Sequence, residues 1–338
     1  MASNKSEQSE LYVCSTIYHL LIASIKVLLR ITPKADIAIL DTMPQANVLC
    51  DRLRDLSSLN DVFIYRIRHF EEEWHPFELC FFKMFFFRSS FRSYFHLLDD
   101  YDEIYLFNDK DICGWYCSIT KRKYHLLEDG LDCYKLFDQY QVKGHFIILR
   151  KLAAFFMRFP ISYGWSSQCI DVEVNDAENM KTKLRHPIKV CPRKQLFDQL
   201  PQKTIDQLIN VFNGKPLAAV QGAVLVLTQP LKELGLVHCD EEQRAFYSKL
   251  GHSLTGNQPF FIKPHPRDTC DYSKIVPSGY LISQFMPAEL LNYSGSSFKI
   301  GVTYSSTSLN ALSCVKRKLF CDKSVVYPGA EYYPISIP

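Results

Sequence analysis

The sequence has none of the features of a secreted disulfide scaffold, a zinc protein or a membrane-spanning chain. Its twelve cysteines are scattered, and no two of them have the CxxC spacing of metal or redox sites. The opening residues MASNKSEQSE lack the apolar core of a signal peptide, and no apolar run is long enough to span a bilayer. We therefore expect a cytoplasmic protein with reduced, mostly buried thiols.

The charge is also too small to predict nucleic-acid binding. The net charge is +3, and no nucleic-acid motif accompanies it. A hydrophobic content of 47% and a charged content of 22% are ordinary for a soluble globular enzyme. The length of 338 residues suits two domains of about 150 residues each.

Aromatic residues, in contrast, are abundant, and eight phenylalanines lie in the single segment Phe77–Leu98. Lys83, Arg88 and Arg92 interrupt this segment. Rings and cations interleaved on one helix suit contact with membrane headgroups, and they equally suit a core helix whose basic side chains extend to solvent. We expect peripheral contact with the inner face of the cell membrane here, with core packing as the alternative.

Short apolar runs alternate with helical patterns along both halves of the chain. This alternation predicts two α/β domains, each with a parallel sheet covered by helices on both faces. We place the first domain at residues 1–155, a connecting region at 156–215 and the second domain at 216–338. Within the second domain GYLISQ is expected to be a strand, and MPAELLNYS and STSLNALSCV to be helices. Because such sheets bind ligands beyond the carboxyl ends of their strands, functional residues are expected there, facing a central cleft.

A hydroxyl cluster follows one of these strands. Tyr304 follows the run FKIGV and Thr303, and Ser305, Ser306 and Thr307 come next, before a predicted helix. A helix N-terminus with added hydroxyl donors binds phosphate well. Simple N-capping of the helix is the alternative explanation.

A histidine held between two prolines follows another strand. His-Pro occurs three times, at His75, His186 and His265, but only His265 directly follows a buried apolar run. Pro264 and Pro266 restrict the backbone on either side and so fix the direction of the imidazole. A histidine so placed can donate a hydrogen bond to a phosphate or a proton to a leaving group.

An acidic pair ends the strand KYHLL. Glu128-Asp129-Gly130 follows that run, and Asp129 is a candidate general base for an acceptor hydroxyl. Gly130 permits a sharp turn or the close approach of a sugar. The alternative is an acidic turn that begins the helix LDCYKLF.

The order of these three motifs resembles the bacterial sialyltransferases of glycosyltransferase family 52. That family carries an acidic-acidic-Gly motif, a His-Pro motif and a Ser-Ser or Ser-Thr motif, which match Glu128-Asp129-Gly130, His265-Pro266 and Ser305-Ser306 here. The segments VCSTIYHLL, LVLTQPL and MPAELL also look like family segments, so the resemblance covers most of the chain. It implies a GT-B fold with two Rossmann-like doubly wound domains and a nucleotide donor held mainly by the second.

The resemblance also implies a reaction and roles for residues. The reaction is an inverting, metal-independent transfer of sialic acid from CMP-sialic acid to a galactose-terminated glycan of a surface polysaccharide or lipooligosaccharide. Asp129 would be the base, His265 would stabilise or protonate the departing CMP phosphate, and the serines would hold that phosphate. The remaining candidates are Thr307, Pro266, Lys263, Glu289, Thr228 and Gln229 on the donor side, and Glu128, Gly130, Thr16 and His19 on the acceptor side.

Other functions remain open at this point. A transferase of the same fold could use a UDP-hexose or CDP-glycerol, and a non-catalytic glycan-binding subunit could use the acids to bind sugar hydroxyls. The aromatic segment is compatible with a lipid-linked acceptor. A homodimer is compatible with the sequence, while the acceptor and its linkage position are not specified by it.

Overall fold

The computed structural model describes residues 9–29, 35–56, 59–68, 95–130, 163–178, 184–256, 258–324 and 331–337. The chain divides into two compact units, Met1–Leu200 and Pro201–Pro338, here called unit 1 and unit 2. Each unit contains its own parallel sheet. None of the helices in the described ranges is both long and apolar enough to cross a membrane.

Unit 1 is built on a parallel sheet whose described strands run in the order β3-β2-β1-β4-β5-β6-β7. The central strands are apolar and buried on both faces, as expected for a parallel sheet covered by helices. The strands are β1 (Glu10–Cys14), β2 (Ala35–Leu40), β3 (Val62–Tyr65), β4 (Glu103–Leu106), β5 (Tyr124–Leu127), β6 (Cys169–Val174) and β7 (Ile188–Val190). Strands β6 and β7 lie in the segment expected to connect the domains, and they complete the first sheet.

Four α-helices and one 3-10 helix are described in unit 1. The α-helices are α1 (Ile17–Leu28), α2 (Ala46–Arg54), α3 (Ile112–Thr120) and α4 (Arg193–Asp198), and the 3-10 helix spans His96–Asp100. Helix α1 packs on the sheet through a nearly continuous buried face. The Phe77–Leu98 segment lies outside the described residues up to position 94, while Phe95 and Leu98 are fully buried.

A buried ion-pair triad fixes helix α1 against the sheet. Glu173 in β6 accepts hydrogen bonds from Lys26 of α1 and Arg193 of α4, both at 2.7 Å. Burial alone would raise the pKa of Glu173, but the two cations outweigh it and lower the pKa. The triad therefore anchors the last turn of α1 to β6, while His19 lies in the first turn of the same helix.

Unit 2 is built on a second parallel sheet with the described strand order β12-β11-β10-β8-β9. Its strands are β8 (Gln221–Leu227), β9 (Phe261–Lys263), β10 (Ser297–Thr303), β11 (Val315–Phe320) and β12 (Glu331–Tyr332). Its α-helices are α5 (Gln202–Asn213) and α6 (Asp240–Thr255), and its 3-10 helices are Tyr272–Lys274, Ser278–Tyr280, Ala288–Tyr293 and Thr307–Ala311. The predicted α/β class, with two parallel sheets, is confirmed.

Three local predictions in unit 2 are wrong. The segment GYLISQ is not a strand, because Ser278–Tyr280 form a 3-10 helix and Leu281 makes only a single bridge to Ile262. MPAELLNYS and STSLNALSCV contain 3-10 rather than α-helices. The first is confined between Pro287 and Gly295, whose φ is 72°. In the second, the buried Leu309 and Leu312 repeat every three residues, the period of a 3-10 helix.

Candidate active site

The acidic pair at the end of β5 divides between the interior and the surface. Glu128 is fully buried, and its Oε2 accepts a hydrogen bond from the backbone N–H of Asn175. Asp129 keeps 27% of its side chain exposed. Gly130 has a φ of 147°, in the region that favours glycine, and no atom lies within 4 Å of the position of a Cβ. Glu128 therefore fixes the loop, and Asp129 is the carboxylate that a substrate can reach.

A buried histidine holds Asp129 in place. The Nε2 atom of His19, in the first turn of α1, makes a short contact with Oδ1 of Asp129 and lies 3.3 Å from the Asp129 carbonyl oxygen. His19 is 1% exposed, and its ring stacks on Phe107 at a centroid separation of 4.4 Å. Thr16 caps the helix by accepting the His19 N–H at 3.2 Å.

The neighbours of His19 define its tautomer. Its Nδ1 lies 3.3 Å from the backbone nitrogen of Ser15, which can only donate. Nδ1 must therefore accept, so the neutral ring carries its proton on Nε2 and donates it to Asp129. Since both ring nitrogens are occupied within the protein, His19 orients the carboxylate, and the exposed part of Asp129 is free to act as a base.

The DxD-like sequence Asp109-Lys110-Asp111 has structural roles. Asp109 is fully buried, and its Oδ2 accepts from the Tyr124 hydroxyl at 2.8 Å and from the Gly164 N–H at 3.0 Å. Burial raises the pKa of Asp109 to about 6. Asp111 caps α3 by accepting the Gly114 N–H. Within the described ranges, no cluster of three or more His, Cys, Asp or Glu side chains suits a metal ion, and metal independence stays a prediction.

In unit 2, His265 follows β9 and is held at two points. Its backbone N–H donates to the Thr228 hydroxyl at 3.1 Å, and its ring Nδ1 accepts the Arg267 backbone N–H at 3.1 Å. The neutral ring therefore carries its proton on Nε2, and no residue in the described part of the chain accepts it. Burial, together with Lys263 and Arg267, lowers the pKa of His265 to about 4. At neutral pH His265 is an uncharged donor.

The hydroxyl cluster follows β10, which is separated from β9 by β8 alone. Thr303 in β10 and Lys263 in β9 are both level with Leu227 of β8. Ser305 and Ser306 therefore extend beyond the same edge of the sheet as His265. Their hydroxyls have no hydrogen-bond partner among the residues that the structure describes, while the Ser306 N–H is bonded to Thr303.

The hydroxyl cluster is not followed by the predicted α-helix, whose dipole would favour phosphate binding. Thr307–Ala311 is a five-residue 3-10 helix with no side-chain cap, so the peptide dipoles add up over little more than one turn. The hydroxyls themselves, including that of the partly buried Thr307, are the donors that this strand end offers.

Three of the weaker donor-side candidates are engaged within the protein. Lys263 is 4% exposed, and its ammonium donates to the carbonyl oxygens of Pro264 and Gln284. Burial lowers the pKa of Lys263 to about 7, against the opposing effects of Glu289 and Asp268. Thr228 is 1% exposed, and the backbone of Gln229 is bonded through both its N–H and its carbonyl to the Tyr247 hydroxyl.

Glu289 and Pro266 remain accessible in unit 2. Both are partly buried, with Glu289 in the 3-10 helix after Pro287 and Pro266 directly after His265. Burial raises the pKa of Glu289. An acid of this kind can accept hydrogen bonds from sugar hydroxyls.

Comparison with known proteins decides the family. Residues 77–320, which include all three motifs, match the model of Glycosyltransferase family 52. The chain belongs to glycosyltransferase family 52. The resemblance noted in the sequence is thereby confirmed, and the family 52 chain is an enzyme of the bacterial sialyltransferase family that binds a nucleotide-sugar donor and an acceptor. Thr16 and His19 lie outside the matched residues.

The chain is also similar to solved structures of low sequence identity. The calicheamicin glycosyltransferase CalG4 is 11% identical, with a TM-score of 0.49 over 93% of the family 52 chain and 79% of its own. Arabidopsis thaliana UGT89C1, complexed with UDP, is 12% identical, with a TM-score of 0.49 over 93% and 80%. No curated protein matches the chain. The fold assignment rests on the two parallel sheets themselves.

The sequence missed two features of this site. The sequence places His19 and Asp129 on the acceptor side but does not indicate that these side chains, 110 positions apart in the chain, pair with each other. It also gives no signal for Asp268, whose N–H donates to the His265 carbonyl. The pattern Thr16-x-x-His19 is the one sequence signal for the position of His19, because it places the histidine in the first turn of a capped helix.

Proposed function

We propose that this enzyme transfers sialic acid from CMP-sialic acid to a galactose-terminated glycan of a bacterial surface polysaccharide or lipooligosaccharide, with inversion at the anomeric carbon. The observation that carries the proposal is the partly exposed Asp129 carboxylate held by the buried His19. Family membership supports the sialyl donor.

In the proposed reaction, unit 1 activates the acceptor. Asp129 takes the proton of the acceptor hydroxyl, whose oxygen forms the new bond to the anomeric carbon of sialic acid. His19 donates Nε2–H to one carboxylate oxygen and so fixes the direction of the other. A carboxylate held in this way is correctly oriented before the substrate binds, which lowers the entropic cost of proton transfer.

Unit 2 is proposed to receive the leaving group. As the bond between the anomeric carbon and the phosphate oxygen breaks, its electron pair remains on the phosphate of CMP. Among the residues that the structure describes, the Nε2–H of His265 and the hydroxyls of Ser305, Ser306 and Thr307 are donors without a partner at this sheet edge. Donors placed in this way can stabilise the charge that develops on a monophosphate, so no metal is required by the proposal. Glu289 would accept hydrogen bonds from the ribose.

A nucleotide panel tests the donor assignment. We expect CMP to raise the melting temperature more than CDP, UDP or GDP at equal concentration. At a hundredfold excess over its Kd, a ligand stabilises the folded protein by about 2.7 kcal/mol, which is a shift of a few degrees for a chain of this size. The Ser306→Ala variant should show a smaller shift with CMP, whereas Ser297→Ala, at the opposite, amino-terminal end of β10, should behave as wild type.

Other outcomes would identify other functions. Stabilisation by UDP rather than CMP would overturn the sialyl donor in favour of a hexose. Preference for CDP would indicate a glycerophosphate donor. Peripheral membrane contact and a lipid-linked acceptor remain predictions, because residues 77–94 of the aromatic segment lie outside the described ranges.

A further inference from the structure

Asp268 is a buried carboxylate on which four hydrogen-bond donors converge. It is 1% exposed. Its Oδ2 accepts from the hydroxyls of Thr228 at 2.5 Å and Tyr272 at 2.7 Å. Its Oδ1 accepts from the side-chain amide of Gln243 at 2.8 Å and the backbone N–H of Cys270 at 3.0 Å. The donors come from the end of β8, from α6 and from the segment after β9, so Asp268 joins three parts of unit 2.

This arrangement fixes the direction of the Thr228 hydroxyl. Both oxygens of Asp268 are occupied by two donors each, which satisfies an ionised carboxylate and leaves no acceptor for a carboxyl proton. Thr228 must therefore use its only hydroxyl proton on Asp268. Its oxygen is then purely an acceptor toward the His265 backbone N–H, 3.1 Å away.

The His265 ring depends on this anchor. The backbone nitrogen of His265 is fixed by Thr228, and two residues later the Arg267 N–H is bonded to the ring Nδ1. The Asp268 N–H closes the same turn on the His265 carbonyl at 2.9 Å. Without the hydrogen bond to Thr228, the turn could move and the Arg267 N–H could leave Nδ1. The ring proton would then no longer be confined to Nε2.

We propose that Asp268 and Thr228 are positioning residues, which act through His265 by fixing its backbone and presenting its Nε2–H to the leaving phosphate. The kinetic part of this proposal rests on the proposed function. Thr228 thus supports the donor site and does not bind the donor itself, because its hydroxyl already donates to Asp268 and accepts from the His265 N–H.

Thr228→Val tests the proposal, since it removes the hydroxyl and keeps the shape. We expect kcat for CMP release from CMP-sialic acid to fall by about 10- to 100-fold, with a smaller change in KM, because a misplaced catalytic group loses transition-state stabilisation. Thr228→Ser keeps the hydroxyl and should restore most of kcat. The control is Thr255→Val, a hydroxyl bonded to the carbonyls of Gly251 and Gln258 at the end of α6, and it should retain wild-type kcat.

A double-variant cycle separates positioning from general destabilisation. If Thr228 acts through His265, adding Thr228→Val to His265→Ala should cause no further loss of kcat. An equal additional loss in the His265→Ala background would overturn the proposal and show a merely structural role. Unchanged kcat in the single Thr228→Val variant would also overturn it.

Nitrogen NMR of the imidazole provides a readout that needs no turnover. In ¹⁵N-histidine-labelled protein at pH 7, we expect His265 to be neutral with its proton on Nε2, and Thr228→Val to convert this signal to a mixture of tautomers. A wild-type ring protonated on Nδ1, or a spectrum unaffected by Thr228→Val, would contradict the proposal. If the wild-type protein released no CMP from CMP-sialic acid, the assignment of CMP-sialic acid as the donor would be wrong. The NMR measurement would still show whether Thr228 positions the His265 ring.

Discussion

Asp129→Asn is expected to lower kcat for glycosyl transfer by about 10³-fold, within the usual contribution of a general base. The amide can still accept the Nε2–H of His19, so the local structure should persist. It cannot accept a proton from the acceptor hydroxyl. Donor binding by unit 2 should be unchanged, so the CMP-induced shift in melting temperature should equal that of the wild type.

A matched control comes from the opposite end of the same sheet. Asp102 precedes β4 and is bonded to Ser9 at the exposed amino-terminal end of the strands. Asp102→Asn should therefore retain wild-type kcat. Near-normal turnover of Asp129→Asn would disprove its assignment as the base.

His265→Ala is expected to lower kcat by about 10²- to 10³-fold, the range for loss of one preorganised donor to a developing oxyanion. Because burial, Lys263 and Arg267 lower the pKa of His265 to about 4, its ring is neutral above pH 5 in the free protein. His265 then acts as a hydrogen-bond donor. His265→Gln, which retains an N–H donor without an acid, should accordingly be about tenfold more active than His265→Ala.

The lowered pKa of His265 also predicts how activity depends on pH. A lowered pKa means that the folded protein resists protonation of His265, so activity should not require protonation of His265 in the free enzyme between pH 5 and 8. Bound CMP, whose phosphate is anionic, should raise the pKa of His265 in an NMR titration. Equal inactivity of His265→Gln and His265→Ala would favour proton donation by a charged imidazole instead.

The strand ends could be predicted from the sequence because the signals are local. An apolar run of four to seven residues followed by an acid pair, a His-Pro or a serine pair identifies both the strand and its carboxyl end. The 3-10 helix after Ser306 could not be predicted in this way. Its choice over an α-helix depends on how Leu309 and Leu312 pack, which is a tertiary effect.

The partners of the strand-end residues could not be predicted either. Lysine is a residue type that commonly binds phosphate. The ammonium of Lys263, however, donates to the backbone carbonyl oxygens of Pro264 and Gln284. Asp268 lies in the polar run HPRDTC, which is typical of an exposed turn. In the structure it is buried, and four donors form hydrogen bonds to its carboxylate. Burial of a polar side chain depends on distant donors, and sequence spacing does not report these.

Analysis of the reaction product shows directly whether the enzyme transfers sialic acid with Asp129 as the base. The protein is mixed with CMP-sialic acid and lactose without added metal, and the acceptor is examined by mass spectrometry and NMR. We expect sialylated lactose with inverted anomeric configuration from the wild type and none from Asp129→Asn. No product from CMP-sialic acid, together with a glycosylated product from a UDP-hexose or CDP-glycerol, would contradict it.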